Sequence, residues 1–508
     1  PAASRFFPTI GSCMGWLVQH WVAVVLFAGY TTLLIFHART GLKASGSMGE
    51  YLVGGRRFGG AVIGISFFAT FASTNSYIGH AGKGYTYGAP WLVFAVLIVM
   101  ATWLSWRLVG PRLRYFTSAL ESVTVPDFLA VRFASPSLRA LTGLVVAFSS
   151  LLYLIAIFKG AGNLFQVFLG IPYTSAVGVT LVIVMAYTSV GGFHSVVRTD
   201  VVQGILMVVG SVLIFGFVTH AAGGIASVTT LFDRPDTEHL FSLNAELPFA
   251  VLFGIAMAGS LKLLVDPRQL SRYYGLKNAS GLRAGIWIAV VGILLIQFSL
   301  FPVGLYARML LEGISDTDLV VPMLVNDANV FPTFVADFLV VAITAAAMSS
   351  MDSVLLVAGS VLSRDVVGSF RKVAGSEGVR WSRWGIVGVA LTAALIALNP
   401  PGDIVEITIF SGSLYAVCFV PTVILGLHWD RGDGVSAVTS ILVGITVLCV
   451  WLALGFDDFI HEVFPALFAS IGSYVVMALS RPPVDDPKVR EIFAGFLSDG
   501  SSDGAATS

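Results

Sequence analysis

Long apolar runs alternate with short polar segments along the chain, at about 15–36, 60–80, 88–109, 138–164, 173–190, 198–220, 247–267, 284–308, 331–361, 382–398, 404–427, 435–455 and 461–480. Each approaches the roughly 20 residues that a helix needs to cross the hydrocarbon of a bilayer. The pattern predicts an all-α integral membrane protein with 13 transmembrane helices. Two runs have centres that a continuous helix would avoid. The second reads "GISFFATFASTNSYIGHAGKGYTYG" over 64–88, and the seventh reads "FGIAMAGSLKLLVDPRQLSR" over 253–272. Hydroxyl and amide side chains compete for backbone hydrogen bonds and glycine adds freedom, so both helices are expected to break. Irregular backbone in hydrocarbon is tolerated where it lines a cavity or binds something. Matching breaks five helices apart point to an inverted-repeat transporter with binding at mid-membrane. The plainer alternative is that the small residues only let helices pack closely.

Composition agrees: 56% of residues are hydrophobic and 11% charged, with a mean hydropathy of +0.86. A net charge of zero argues against nucleic acid as a partner. Cys13, Cys418 and Cys449 sit in or beside apolar runs without ligand spacing, and the eight histidines form no HExxH pair, so zinc chemistry has no support. The first run is long enough to span rather than to serve as a cleaved signal. Most of the 29 Lys and Arg fall in alternate loops, among them Arg39, Lys43, Arg56, Arg57, Arg112, Arg114, Arg380 and Arg383. The positive-inside rule then places the N-terminus outside and the C-terminus in the cytoplasm of a multi-pass protein of the cell (inner) membrane. The polar, Ser/Gly-rich tail at 481–508 is expected to be disordered and too short for a catalytic or signalling module. An enzyme would need an acid/base or metal constellation at the membrane face, and the motifs supply none.

Several motifs resemble one family. "GGFHSVVRTDVVQ" (191–203) resembles the Gly-Gly…Thr-Asp…Gln signature of the sodium/solute symporters, which include glucose, proline and monocarboxylate transporters. "AAAMSSMDS" (345–353) is similar to that family's sodium-binding helix, and "YLVGGRRFGG" (51–60) and "GKGYTYG" (82–88) fit the segments flanking its first core helix. The resemblance implies a leucine-transporter-type fold. An extra helix and loop occupy 1–58, five core helices 59–220, five inverted ones 221–430, and two further helices 431–480.

By the same resemblance, Ala69, Ala72 and Ala346 lend carbonyls and Ser349 and Ser350 hydroxyls to Na+. Sodium is a hard ion that needs several oxygens, and 346, 349 and 350 share one helix face by their i, i+3, i+4 spacing. The bland alternative is that the serines bond back to their own helix. A second sodium is implied at Asp200, Asp352, Ser349 and Ser353. Otherwise Asp200 caps a helix start or the aspartates pair with Arg198 and Arg364, and they could also carry protons. The solute would meet Thr74, Ser76, Tyr153, Lys262 and Gln297. Lys262 either meets an anionic solute, snorkels inward or pairs with Asp266, and Lys159 is expected to snorkel toward the outer vestibule. "LLYLIAIFKGAGNLFQVFLGIPY" (151–173) looks most like the acetate and monocarboxylate branch. The expected function is sodium-coupled import of a small organic anion by a monomer or weak oligomer. The alternatives are a neutral solute such as a sugar or proline, proton coupling and, least favoured, a membrane sensor.

Overall fold

A computed structural model describes residues 18–44, 47–244, 246–370, 375–482 and 486–504. Cys13 and the start of the first expected span lie outside the described residues. Among the described residues the chain is helical, with a single isolated bridge between Phe58 and Leu276. In order come α1 (Trp21–Ala44), the short α2 (Met48–Val53), α3 (Gly60–Phe71), α4 (His80–Tyr87) and α5 (Ala89–Ala119). Next are α6 (Val125–Arg132), α7 (Pro136–Leu169), α8 (Tyr173–Ala221), α9 (Phe249–Val265), α10 (Pro267–Gly275) and α11 (Ser280–Ala307). The chain closes with α12 (Thr333–Val361), α13 (Gly375–Ala397), α14 (Ile404–Phe419), α15 (Gly434–Ala453), α16 (Val463–Ser480) and α17 (Pro487–Gly504).

Ten of these helices are long and apolar enough to cross a membrane, or 11 when the bent pair α3–α4 counts as one span. Two of the 13 expected spans fall short by this measure, for visible reasons. The run at 173–190 forms only a short apolar helix, Tyr173–Met185, before α8 turns at Gly192. In α13, Arg380 and Arg383 dilute the apolar sequence. At Gly192 φ is 61° and ψ −170°, a backbone state open to glycine almost alone, and it kinks α8 there.

Local chemistry fixes the breaks. α3 ends where Ala72 turns extended (φ −66°, ψ 124°), and a π turn at Asn75–Gly79 restarts the helix bent by 57°. In the second broken span Asp266 ends α9 and caps α10 by accepting from the Arg268 N–H at 2.9 Å, with Pro267 at the first helical position where no N–H is missed. α12 sits deepest: 89% of its most apolar window is buried, against 22% for α1 and 28% for α16. The serines and Asp352 of α12 therefore face protein rather than lipid.

The tail departs from expectation. Pro487–Gly504 is helical rather than disordered, because Val489, Ile492, Phe493 and Phe496 recur at i, i+3, i+4 and i+7 and give it one apolar face. Phe493 lies edge-on to Phe116 at 4.9 Å, and Phe496 packs against Tyr115 at 5.4 Å and beneath the Arg112 guanidinium at 4.6 Å.

Candidate functional site

The break after α3 frees carbonyl oxygens that α12 then meets. Ser350 Oγ lies 3.1 Å from the carbonyl oxygens of both Thr70 and Ala72. Ser349 Oγ lies 3.0 Å from the Ala69 carbonyl and 2.6 Å from Asp200 Oδ1. Two hydroxyls can donate only two protons, yet four acceptors surround them, so the cluster is rich in oxygen lone pairs and poor in hydrogens. Such a surplus suits a hard cation. Ser349 and Ser350 point across to α3 rather than back to their own helix. Ala346 is buried a turn earlier on α12. Of the first expected set, Ala69, Ala72, Ser349 and Ser350 are thus in contact, with Thr70 as a further carbonyl that sequence reasoning missed.

One turn further along α12 a guanidinium stands where a second cation was expected. Arg272 Nη2 donates to Asp200 Oδ2 at 2.9 Å, to Ser353 Oγ at 2.6 Å and to Thr70 Oγ1 at 2.5 Å, while its Nε donates to Ser66 Oγ at 3.1 Å. Ser66 in turn donates to Asp200 Oδ2 at 2.5 Å. All five side chains are buried. Asp200 lies well inside α8 and caps nothing. Its partner is Arg272, neither Arg198 nor Arg364, and Arg364 instead donates to Asp127 at 3.0 Å. Asp352 accepts from the Thr188 hydroxyl at 2.6 Å, and Ser353 also bonds back to the Ser349 carbonyl. Arg272 and Ser66 were missed because an arginine near a span end reads as a cytoplasmic positive charge.

The expected solute residues gather around the same break. Gln297 Nε2 on α11 reaches Ser76 Oγ at 3.5 Å, and the Tyr153 hydroxyl on α7 donates to Ser73 Oγ at 3.0 Å. Lys262 neither snorkels nor takes Asp266: it is 4% exposed, with its ammonium 5.0 Å from the Tyr153 ring centroid and 5.9 Å from that of Phe71. Asp266 is claimed by Arg268, whose Nε lies 3.0 Å from both carboxylate oxygens and whose carbon stands 3.9 Å over Tyr153. Thr74 Oγ1 is buried without a hydrogen-bond partner.

Lys159, expected to snorkel, forms a buried ion pair with Asp318 at 2.6 Å and donates to the Gly402 carbonyl at 3.2 Å. Lys83 on α4 pairs with Asp403 at 2.5 Å. Beyond them opens a cavity of about 370 Å³ whose walls include Trp91, Ile255, Glu406 and Glu462.

The family model described as the sodium:solute symporter family matches residues 51–444. The sodium/pantothenate symporter of Haemophilus influenzae is 27% identical over 433 residues, covering 84% of this chain and 89% of that protein. The high-affinity proline transporter of Bacillus subtilis is 28% identical over 452 residues, covering 87% and 94%. The solved structure of a Na+-coupled sialic acid symporter superposes with a TM-score of 0.76 at 21% identity, covering 91% of this chain and 98% of that one, and the two share a fold.

Proposed function

The chain belongs to the sodium:solute symporter family, and from that premise we propose that it imports a small carboxylate together with one sodium ion by alternating access. It is a multi-pass membrane transporter, not an enzyme, and sodium is its coupling ion. We assign the ion to Ala69, Ala72, Ala346, Ser349 and Ser350. The observation that carries this is the surplus of oxygens over protons where Ser349 and Ser350 meet the α3 break. An ion there would tie α3 to α12 and favour the solute-competent arrangement, and each ligand must then raise the other's affinity by the same factor. A tenfold sodium gradient supplies about 1.4 kcal/mol to this cycle.

Lys262 supports an anionic solute, since a buried ammonium ringed by Tyr153 and Phe71 is best matched by a carboxylate. Pantothenate and proline, which the relatives' names record, both bear one. We place the solute among Thr74, Ser76, Tyr153, Lys262 and Gln297. The Arg272–Asp200 ion pair favours one sodium over two: Asp200, Asp352, Ser349 and Ser353 hold a second only if Arg272 withdraws. The topology we propose has 13 spans with the N-terminus outside and two inverted halves over 59–220 and 221–430. The broken spans α3–α4 and α9–α10 support that division.

The test is uptake of labelled carboxylates into proteoliposomes. Replacing sodium by choline at fixed pH is expected to abolish it, and Ser350→Ala to raise the sodium concentration for half-maximal rate about tenfold, the loss of one ion-dipole contact of ~1.5 kcal/mol. Uptake that persists in choline would sink the proposal.

A further inference from the structure

Buried polar atoms in folded proteins nearly always find a hydrogen-bond partner, and an orphan costs about 1–3 kcal/mol. Just outward of the α3 break several orphans stand together: Thr74 Oγ1, Asn75 Oδ1, His80 Nδ1, Trp91 Nε1 and, on α11, Gln297 Oε1. Their neighbourhood is fixed by contacts. His80 Nε2 lies 3.3 Å from Asn75 Nδ2. The imidazole stacks on Phe301 at 4.3 Å and takes the edge of Phe94 at 4.8 Å, with the Trp91 ring 5.9 Å away. Phe301 follows Gln297 by one helical turn, and Gln297 reaches Ser76. Lys262 is within electrostatic reach of His80. Asn75 and His80 are each at most 6% exposed.

The aromatic wall holds the imidazole in one plane, so Nδ1 keeps a fixed direction. Imidazole and carboxamide each offer both a donor and an acceptor. Their match is a solute group that also does both, a hydroxyl or an amide. A second carboxylate only accepts, and the oxygens of Asn75 and Gln297 would repel it. A methyl group would leave every one of these atoms unpaired. Sites built to bond a hydroxyl or amide reject analogues lacking it far more strongly than apolar pockets reject an added group.

We propose that Asn75 and His80 read a hydroxyl or amide of the solute while Lys262 holds its carboxylate, so that the transported class is hydroxyl- or amide-bearing carboxylates rather than bare short-chain acids. This rests on the carboxylate reading above and narrows it.

The experiment measures sodium-driven uptake by the full chain in proteoliposomes with three labelled probes. Pantothenate carries a carboxylate with hydroxyls and an amide, propionate a carboxylate alone, and L-proline a carboxylate with a charged amine. Pantothenate is expected to be taken up and propionate poorly, with a KM at least tenfold higher. His80→Phe keeps the stacking and removes both nitrogens, and is expected to raise the pantothenate KM at least tenfold with little change in maximal rate. His80→Gln, which restores a donor and an acceptor, recovers much of the loss, and Asn75→Ala gives the same result as His80→Phe should that variant misfold. Equal handling of propionate and pantothenate, uptake of proline alone, or a pantothenate KM unmoved in both variants overturns this inference and leaves the carboxylate reading intact. Failure of all three probes in sodium overturns the carboxylate reading itself.

Discussion

Arg272 is placed so that one side chain holds four others. Its guanidinium meets Asp200, Ser353, Thr70 and Ser66 from three different helices, all shielded from water. Removing one member of a buried ion pair costs about 3–5 kcal/mol, because the partner charge is stranded. Arg272→Gln should therefore lower the melting temperature in detergent sharply, whereas Arg272→Gln with Asp200→Asn, which removes both charges, should recover much of the loss. A double variant no more stable than the single one would show that the pair does not carry the stability. The family resemblance reached Ser349 and Ser350, and their spacing within one helix supported the grouping. It could not reach Arg272, because its partner Ser66 stands 206 residues away and nothing local marks the pairing.

Among elements, the broken helices were legible because their causes are local: Ser-Thr-Asn-Ser after Ala72, and Asp-Pro at 266–267. The meaning of the Gly-Gly motif was only half legible. Gly192 turns α8 with φ at 61°, and a Cβ there would press on the Tyr51 ring of α2. Gly192→Ala is expected to cost about 1–3 kcal/mol, read as a lower unfolding temperature in detergent, while Gly178→Ala, where an added methyl meets nothing, should cost far less. The tail was misread because Ser/Gly composition near its end outweighed a short amphipathic stretch. What settles its structure is tertiary: Phe493 rests on Phe116 and beneath Arg132, whose Nε is itself fixed on the Gly426 carbonyl at 2.8 Å. Phe493→Ala with Phe496→Ala should release α17, seen as faster proteolysis within 487–504 while the membrane helices stay protected. Unchanged cleavage would mean that these rings do not hold it.

For the whole molecule, two ion pairs beside the cavity join distant segments. Lys159 of α7 holds Asp318, whose other bond accepts the Ile404 N–H at 3.1 Å, and Lys83 of α4 holds Asp403 at the start of α14. Asp318 is the member of these pairs whose carboxyl is raised. Burial pushes its carboxyl up from 3.8 to about 6, with the neighbouring Asp403 adding to the shift and Lys159 opposing it. Where these segments part, water returns and the carboxyl regains its ordinary value. Between about pH 4 and 6 the closed form thus binds a proton that the open form does not, so lowering the pH through 6 favours closure, and the preference fades as pH rises above 6. Asp318→Asn imitates the protonated acid and should remove the pH dependence of this contact, while leaving Lys159 without its counter-charge. The check is the rate at which an impermeant maleimide labels Val251→Cys, which lines the cavity, in a Cys13→Ser, Cys449→Ser background. The ratio of the rate in that protein to the rate with Asp318→Asn added cancels the thiol's own titration. It should change between pH 7.5 and pH 5, because only the protein that keeps Asp318 titrates in that window. A ratio that does not move with pH would remove Asp318 from control of these segments, leaving the Lys83–Asp403 pair as the contact to probe.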